Sequence, residues 1–234
     1  MEKQAKPHFG PTEIRGVVSL AITLLVMGIL LFGPAGTLNW PRGWWFAFVF
    51  MVSILASMAV LWRVNPEIFA ARAQVSKGTQ SWGYVIFAII IAGFVAVLPV
   101  AALDDARLHW FPVPEWVIDL GYVLLIAGFA VTAWAQAVNR HFEPSVRIQS
   151  ERGHTVIDTG PYASIRHPGY IAGSMLVVGM ALALGSLWAL IPAFVVVAVL
   201  VIRTLLEEQT LRAGLPGYAE YAARVRSRWI PGVW

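Results

Sequence analysis

Cysteine is absent from the 234-residue sequence. Disulfide bonds, thiolate metal sites and cysteine nucleophiles are therefore excluded. Charge is scarce: Asp, Glu, Lys and Arg make up 13% of residues, about half the share usual in a soluble domain. Hydrophobic residues make up 58%. One globule of this length cannot hide so much apolar surface, so lipid must cover it. No G-x-S-x-G elbow, P-loop or G-x-G-x-x-G fingerprint occurs. A metal set of His141, His154 and His167 has no cysteine and no His-x-x-x-His pair behind it, so no metal is expected. The formal charge of +4 reads as a topology signal before it reads as a nucleic-acid footprint. No small-residue cleavage pattern follows the first apolar run, which reads as a retained span.

What the chain does have is long apolar runs. A spanning helix needs about 20 mostly apolar residues. Segments 17–35, 43–62, 82–103 and 116–138 meet that requirement. A fifth block, 170–206, is too long for one span and contains Gly185-Ser186, a pair that turns a chain. It reads as a helical hairpin, 170–184 and 187–213, whose first arm is about 22 Å long at 1.5 Å per residue. The expected fold is all-α: a polytopic transmembrane bundle of about six helices ending in that hairpin. Residues 1–138 would form a tail and four spans; residues 139–234 would form a loop, the hairpin and a short surface helix over 217–228. Trp44, Trp62, Trp82, Trp116 and Trp134 fall near the expected span ends, as an aromatic belt requires. Lys3, Lys6, Arg15, Arg63, Arg72 and Lys77 fall in one set of alternating segments. Arg140, Arg147, Arg152, Arg166, Arg212, Arg224, Arg226 and Arg228 fall in the same set. Loop 104–115 in the other set holds Asp104, Asp105 and Glu115 but only Arg107. The positive-inside rule then puts both termini in the cytoplasm.

Polar residues gather between spans four and five, from Asn139-Arg140-His141 through Gly160-Pro161-Tyr162 to Arg166-His167-Pro168-Gly169-Tyr170. Pro168 suits a first helical position, which puts His167 near the N-cap. A helix start with unpaired N–H groups is an anion site, and Arg166 can add a bidentate clamp. The hairpin brings Glu207 and Glu208 back to the same membrane surface. Two adjacent carboxylates there need solvent or a cation. Anion donors on one arm and carboxylates on the other match a ligand bearing both signs of charge. The methionine end of S-adenosylmethionine, with its carboxylate, ammonium and sulfonium, is such a ligand. Plainer readings stand beside this one. Arg166 also suits a lipid phosphate, and His167 a simple cap. Glu207 and Glu208 also suit a solvated face paired with Arg203 and Arg212 at i,i+4 spacing. Tyr170, Tyr218 and Tyr221 also suit interface aromatics.

Taken in order, Gly160-Pro161-Tyr162, Arg166-His167-Pro168-x-Tyr170, Glu207-Glu208-x-x-Leu211, Tyr218, Tyr221 and Ile230-Pro231 resemble the isoprenylcysteine carboxyl methyltransferase family. Phospholipid methyltransferases share much of this signature. The resemblance covers 139–234; Asn65-Pro66-Glu67 and Arg72 also resemble bacterial members. It implies a cytoplasm-facing pocket for S-adenosylmethionine, lined by Tyr162, Arg166, His167, Pro168, Tyr170, Glu207, Glu208, Tyr218 and Tyr221. Arg166, Glu207 and Glu208 would act at the reacting groups. The acceptor would be lipophilic or prenylated and would enter from the bilayer, with carboxyl O-methylation favoured over N- or S-methylation. A carboxylate acceptor needs no base; an amine or thiol would need Glu207, Glu208 or His167. A bacterial inner membrane is the expected location, with lipids as neighbours and no nucleic acid. Membrane sterol reductases carry a similar Arg-His-Pro-x-Tyr segment and use NADPH, but the Glu207-Glu208 pattern resembles the methyltransferases. A non-catalytic lipid-binding membrane protein is the third reading.

Overall fold

Eight α-helices carry the chain in the computed structural model, which describes residues 11–72, 81–144 and 146–234. They are α1 (Pro11–Ala35), α2 (Pro41–Val64), α3 (Glu67–Arg72), α4 (Ser81–Ala101), α5 (Glu115–Val138), α6 (Pro168–Ala183), α7 (Leu190–Gly214) and α8 (Tyr218–Arg224). No strand occurs among the described residues. Lys3, Lys6 and Lys77, which counted toward the orientation, lie outside the described residues. Four described helices are long and apolar enough to cross a bilayer: Pro41–Val64, Trp82–Leu108, Glu115–Val138 and Leu190–Gly214. Ala21–Ala35 and Pro168–Ala183 are apolar but shorter. The expected all-α, multi-span bundle is therefore what the chain forms. Ile29, Trp45, Phe48, Val85, Val123, Ile191 and Phe194 are exposed on its outside, an arrangement that suits hydrocarbon and not water.

Two details were not foreseen. A short helix, α3, follows α2, and its Ile68 is buried against the bundle. The third span also does not end at 103: α4 continues as a π-helix over Ala102–Leu108. His109 closes it in the left-handed region, at φ 49°, and donates its N–H to Asp104 O at 2.7 Å.

Packing sets the rest. Helices α5 and α6 lie close because glycine faces glycine-sized space. A Cβ on Gly121 would overlap the backbone of Leu182 and Ala183, and one on Gly179 would lie 2.6 Å from Leu125 N. Small residues permit such approach between apolar helices. The hairpin turns at Gly185-Ser186, as expected. Gly185 has φ +71°; its N–H donates to Leu182 O at 2.8 Å and Ser186 N–H to Ala181 O at 3.0 Å. This paired pattern is the Schellman stop. Ser186 Oγ then accepts from Ala189 N–H at 3.1 Å and starts α7. With 16 residues, α6 is about 24 Å long, short of the roughly 30 Å hydrocarbon core. Its 25-residue partner α7 overshoots, so the start of α6 meets the last turns of α7. One buried cluster runs from Leu31 through Phe46, Val97, Leu125 and Val177 to Val196 and Trp229. A smaller one joins Leu215, Tyr218, Tyr221 and Val225 under Ile148 and Val156. It fixes α8 against the long loop.

Candidate active site

The start of α6 forms as its sequence suggests. His167 is the N-cap and Pro168 the first helical residue. The His167 ring makes no capping hydrogen bond; it stacks on Tyr170, 5.4 Å between centroids and 6° between planes. The first turn is covered, since a Cβ on Gly169 would lie 2.8 Å from the Phe142 ring.

Two polar layers meet at this point. The first surrounds Glu208. Arg166 donates from Nε to Glu208 Oε1 at 2.5 Å, and His167 Nε2 lies 3.3 Å from the same oxygen. Arg228 donates from Nε to Glu208 Oε2 at 3.1 Å. Arg166 also donates from Nη1 to Val225 O at 2.6 Å and Arg226 O at 2.8 Å. Its backbone N–H and that of His167 bond to Ser227 O and Arg228 O. Thus Glu208, 4% exposed, ties the C-terminal segment to both hairpin arms. The solvated-face reading of Glu208 does not hold: its partners are Arg166, His167 and Arg228.

The second layer faces a cavity of about 300 Å³. Tyr170 donates its hydroxyl to Glu207 and accepts from Arg203 Nε at 2.8 Å. Arg203, 5% exposed, also donates from Nη2 to Pro144 O. Its Nη1 has no hydrogen-bond partner among the described residues. Every candidate taken from the sequence except Glu208 lines this cavity, with Arg203 and Glu207 on α7 and Tyr218 and Tyr221 on α8. One end is apolar, made by Phe87, Phe94, Leu176 and Leu200; the other is polar, made by the 139–167 loop.

The loop is held by its own bonds. Asn139 donates from Nδ2 to Tyr162 Oη at 3.0 Å, and Tyr221 donates to Tyr162 O at 2.8 Å. Gln149, 2% exposed, donates to His141 O at 2.8 Å. Burial raises the hydroxyls of Tyr162, Tyr218 and Tyr221 above their usual range, so all three stay neutral. Tyr218 Oη is buried with no partner among the described residues. His141 and His154 stack at 4.4 Å. Burial, and then the proximity of His141, lowers His154 to about 4; burial also lowers His141. Both rings are neutral near neutral pH.

Arg203 was read from sequence only as an i,i+4 partner of Glu207. A cation inside an otherwise apolar span was the signal that it faces a site. Asn139 and Arg228 were also missed, and no local pattern marks either. The arrangement offers a buried cation, a nearby carboxylate, neutral phenols and an apolar wall. It can hold a zwitterion and a lipophilic anion side by side.

Residues 116–215, from α5 to the end of α7, match the model of the phospholipid methyltransferase family. That family belongs to the same group of integral membrane methyltransferases as the isoprenylcysteine carboxyl methyltransferases, so the resemblance drawn from the motifs is borne out at the level of the group. No curated protein matches the chain. The match and the apolar helical bundle together support a membrane methyltransferase.

Proposed function

We propose that this protein transfers a methyl group from S-adenosylmethionine to the carboxylate of a lipophilic acceptor drawn from the bilayer. The observation that carries the choice of acceptor is Arg203, a buried guanidinium on the cavity wall with Nη1 unengaged. A buried cation favours an anion beside it, and a planar carboxylate suits a guanidinium best.

The residues present fit the donor. Tyr218 Oη, buried and unpartnered, awaits an acceptor atom. Among the described residues Glu207 has one hydrogen-bond partner, the neutral Tyr170, and its charge complements an ammonium or sulfonium. Tyr162 and Phe142 offer flat surfaces to an adenine ring. S-adenosylmethionine, when bound, supplies an electrophilic methyl on a positive sulfur. The chain supplies position and dryness, which are the main needs of an in-line displacement. Arg203 holds the acceptor carboxylate, and Tyr170 links Arg203 to Glu207 so that anion and cation sites keep a fixed spacing. No proton has to move for an ionised carboxylate. Arg166, His167 and Glu208 hold the C-terminal segment against the hairpin beside the cavity. On the positive-inside distribution, we place the site at the cytoplasmic face.

Calorimetry on the purified protein in detergent tests the donor. Saturable binding of S-adenosylmethionine is expected; binding of NADPH in its place would overturn the reading. Incubation with methyl-labelled donor and a membrane lipid extract tests the acceptor. A methyl ester releases labelled methanol in mild alkali, whereas N- and S-methyl products retain the label, so retained label would refute carboxyl methylation.

A further inference from the structure

The cavity that contains Arg203 has a polar stripe on its α5 wall. Thr132, Gln136 and Asn139 line it, at the i, i+4 and i+7 spacing of one helix face. Between Val123 and Asn139 the only other side chain able to hydrogen-bond is that of Trp134. Asn139 is satisfied: it donates to Tyr162 Oη at 3.0 Å and accepts from the His141 N–H at 2.8 Å.

The two deeper residues are not satisfied. A hydroxyl on a helix commonly bonds back to the carbonyl one turn earlier, and Ser174 on α6 and Thr204 on α7 do so at 3.0 and 2.9 Å. Thr132 does not: its Oγ1 is buried with no partner among the described residues. Gln136 is 2% exposed, and its side chain makes no hydrogen bond among the described residues; only its backbone carbonyl is used, by Asn65 Nδ2 at 2.7 Å. The same turn of α5 separates this cavity from an apolar space between α2, α3 and α5. That side offers no partner either, since its one other polar side chain, Ser57, donates to Ser53 O. Phe87, Phe94, Leu176 and Leu200, which share the Arg203 cavity, can pair with neither residue. Buried hydroxyls and amides are nearly always paired, so this unpaired couple on a cavity wall points to a partner that a ligand supplies.

We infer that the acceptor carries, besides its carboxylate, a hydroxyl group that Thr132 and Gln136 recognise. This rests on the reading of the acceptor as a lipophilic carboxylate held by Arg203. A hydroxyl and a primary amide each donate and accept. A neutral ligand group that does both satisfies the two together, and a hydroxyl is the smallest such group; a bare methylene satisfies neither. Arg203, Thr132 and Gln136 share one cavity of about 300 Å³, a space only a few bonds across. The hydroxyl therefore lies near the carboxylate, on its α or β carbon. A site built to hydrogen-bond one group discriminates against analogues that lack it, so Thr132 and Gln136 are specificity residues for hydroxylated lipophilic acids.

Displacement of tritiated palmitic acid from the full chain in detergent measures relative affinities without requiring methyl transfer. The competitors are palmitic acid and its α-, β- and ω-hydroxy derivatives. The ω-hydroxy acid has the same added polarity but holds its hydroxyl far from the carboxylate, so it controls for partition into detergent. The α- or β-hydroxy acid should displace the label at about tenfold lower concentration than palmitic or ω-hydroxypalmitic acid, the worth of one hydrogen bond made in a buried site. Thr132→Val and Gln136→Leu should each reduce that preference to about threefold or less, while palmitic acid binds as tightly as before or more tightly. A folding fault would weaken every acid together, so the palmitic acid result separates the two causes. Equal displacement by all the acids, or a preference that survives both substitutions, overturns the inference; if Arg203→Ala still weakens binding, the carboxylate reading stands without it. No saturable binding of the label, or binding that Arg203→Ala leaves unchanged, defeats the carboxylate reading and this inference with it.

Discussion

Glu207 and Glu208 are chemically identical neighbours on α7, yet they belong to different regions. Glu208 sits in a clasp, with Arg166, His167 and Arg228 around one carboxylate and the C-terminal carbonyls closing over Arg166. Glu207 sits on a wall, beside Tyr170 and Arg203 and against open volume. Successive helical positions point about 100° apart. That angle turns one carboxylate into the packed interior and the other toward the cavity. A doubled acid in a sequence is therefore not a doubled role: one of the pair ties the C-terminal segment to the hairpin and the other lines the cavity.

The comparison breaks most sharply at the clasp. Glu208→Gln keeps the shape but leaves Arg166 buried without its counter-charge, a loss of about 3–5 kcal/mol. Thermal unfolding in detergent should shift strongly downward, and limited proteolysis should release the C-terminal segment first. Glu207→Gln should leave unfolding nearly unchanged. Equal shifts for the two variants would erase the distinction drawn between them.

On the wall, the largest expected effect belongs to Arg203. Arg203→Ala should raise KM for the acceptor by about thirtyfold, or about 2 kcal/mol for a lost buried charge pair. Binding of S-adenosylmethionine should persist. Arg203→Lys keeps the charge but not the fork, and should fall in between. A smaller effect is expected at Glu207, where Glu207→Gln should weaken donor binding by about tenfold, within the range for a charged hydrogen bond. Unchanged affinity would return Glu207 to a surface role.

The smallest effect concerns pH. His154 is lowered from 6.5 to about 4, so the folded loop binds fewer protons than the unfolded chain between those values. Its contribution is complete above about pH 6.5 and is lost progressively as pH falls toward 4. Hydrogen-exchange protection of 139–167 should drop between neutral pH and about pH 5, and His154→Gln should flatten the drop. A drop of the same size in the variant would assign it to other groups.

Much of this was legible in the chain. Pro168 fixed the first residue of α6, and Gly185-Ser186 fixed the hairpin turn, because both act through backbone geometry that neighbours cannot override. Apolar run length marked the spans. Tyr162, Arg166, His167, Tyr170 and Glu207 were named before their meeting at one cavity could be seen. Arg203 is legible only as a spacing partner of Glu207, whereas its hydrogen bonds go to Tyr170 and Pro144.

Sequence alone determined that the chain is a membrane bundle and that its polar chemistry collects at one end of the hairpin. Hydrophobic run length and helix-terminal residues are local quantities, readable one segment at a time. Only tertiary structure decided which of two adjacent acids faces the cavity and that one turn of α5 divides two spaces. Those outcomes depend on the rotation of each helix about its axis, and that rotation is set by partners tens of residues away.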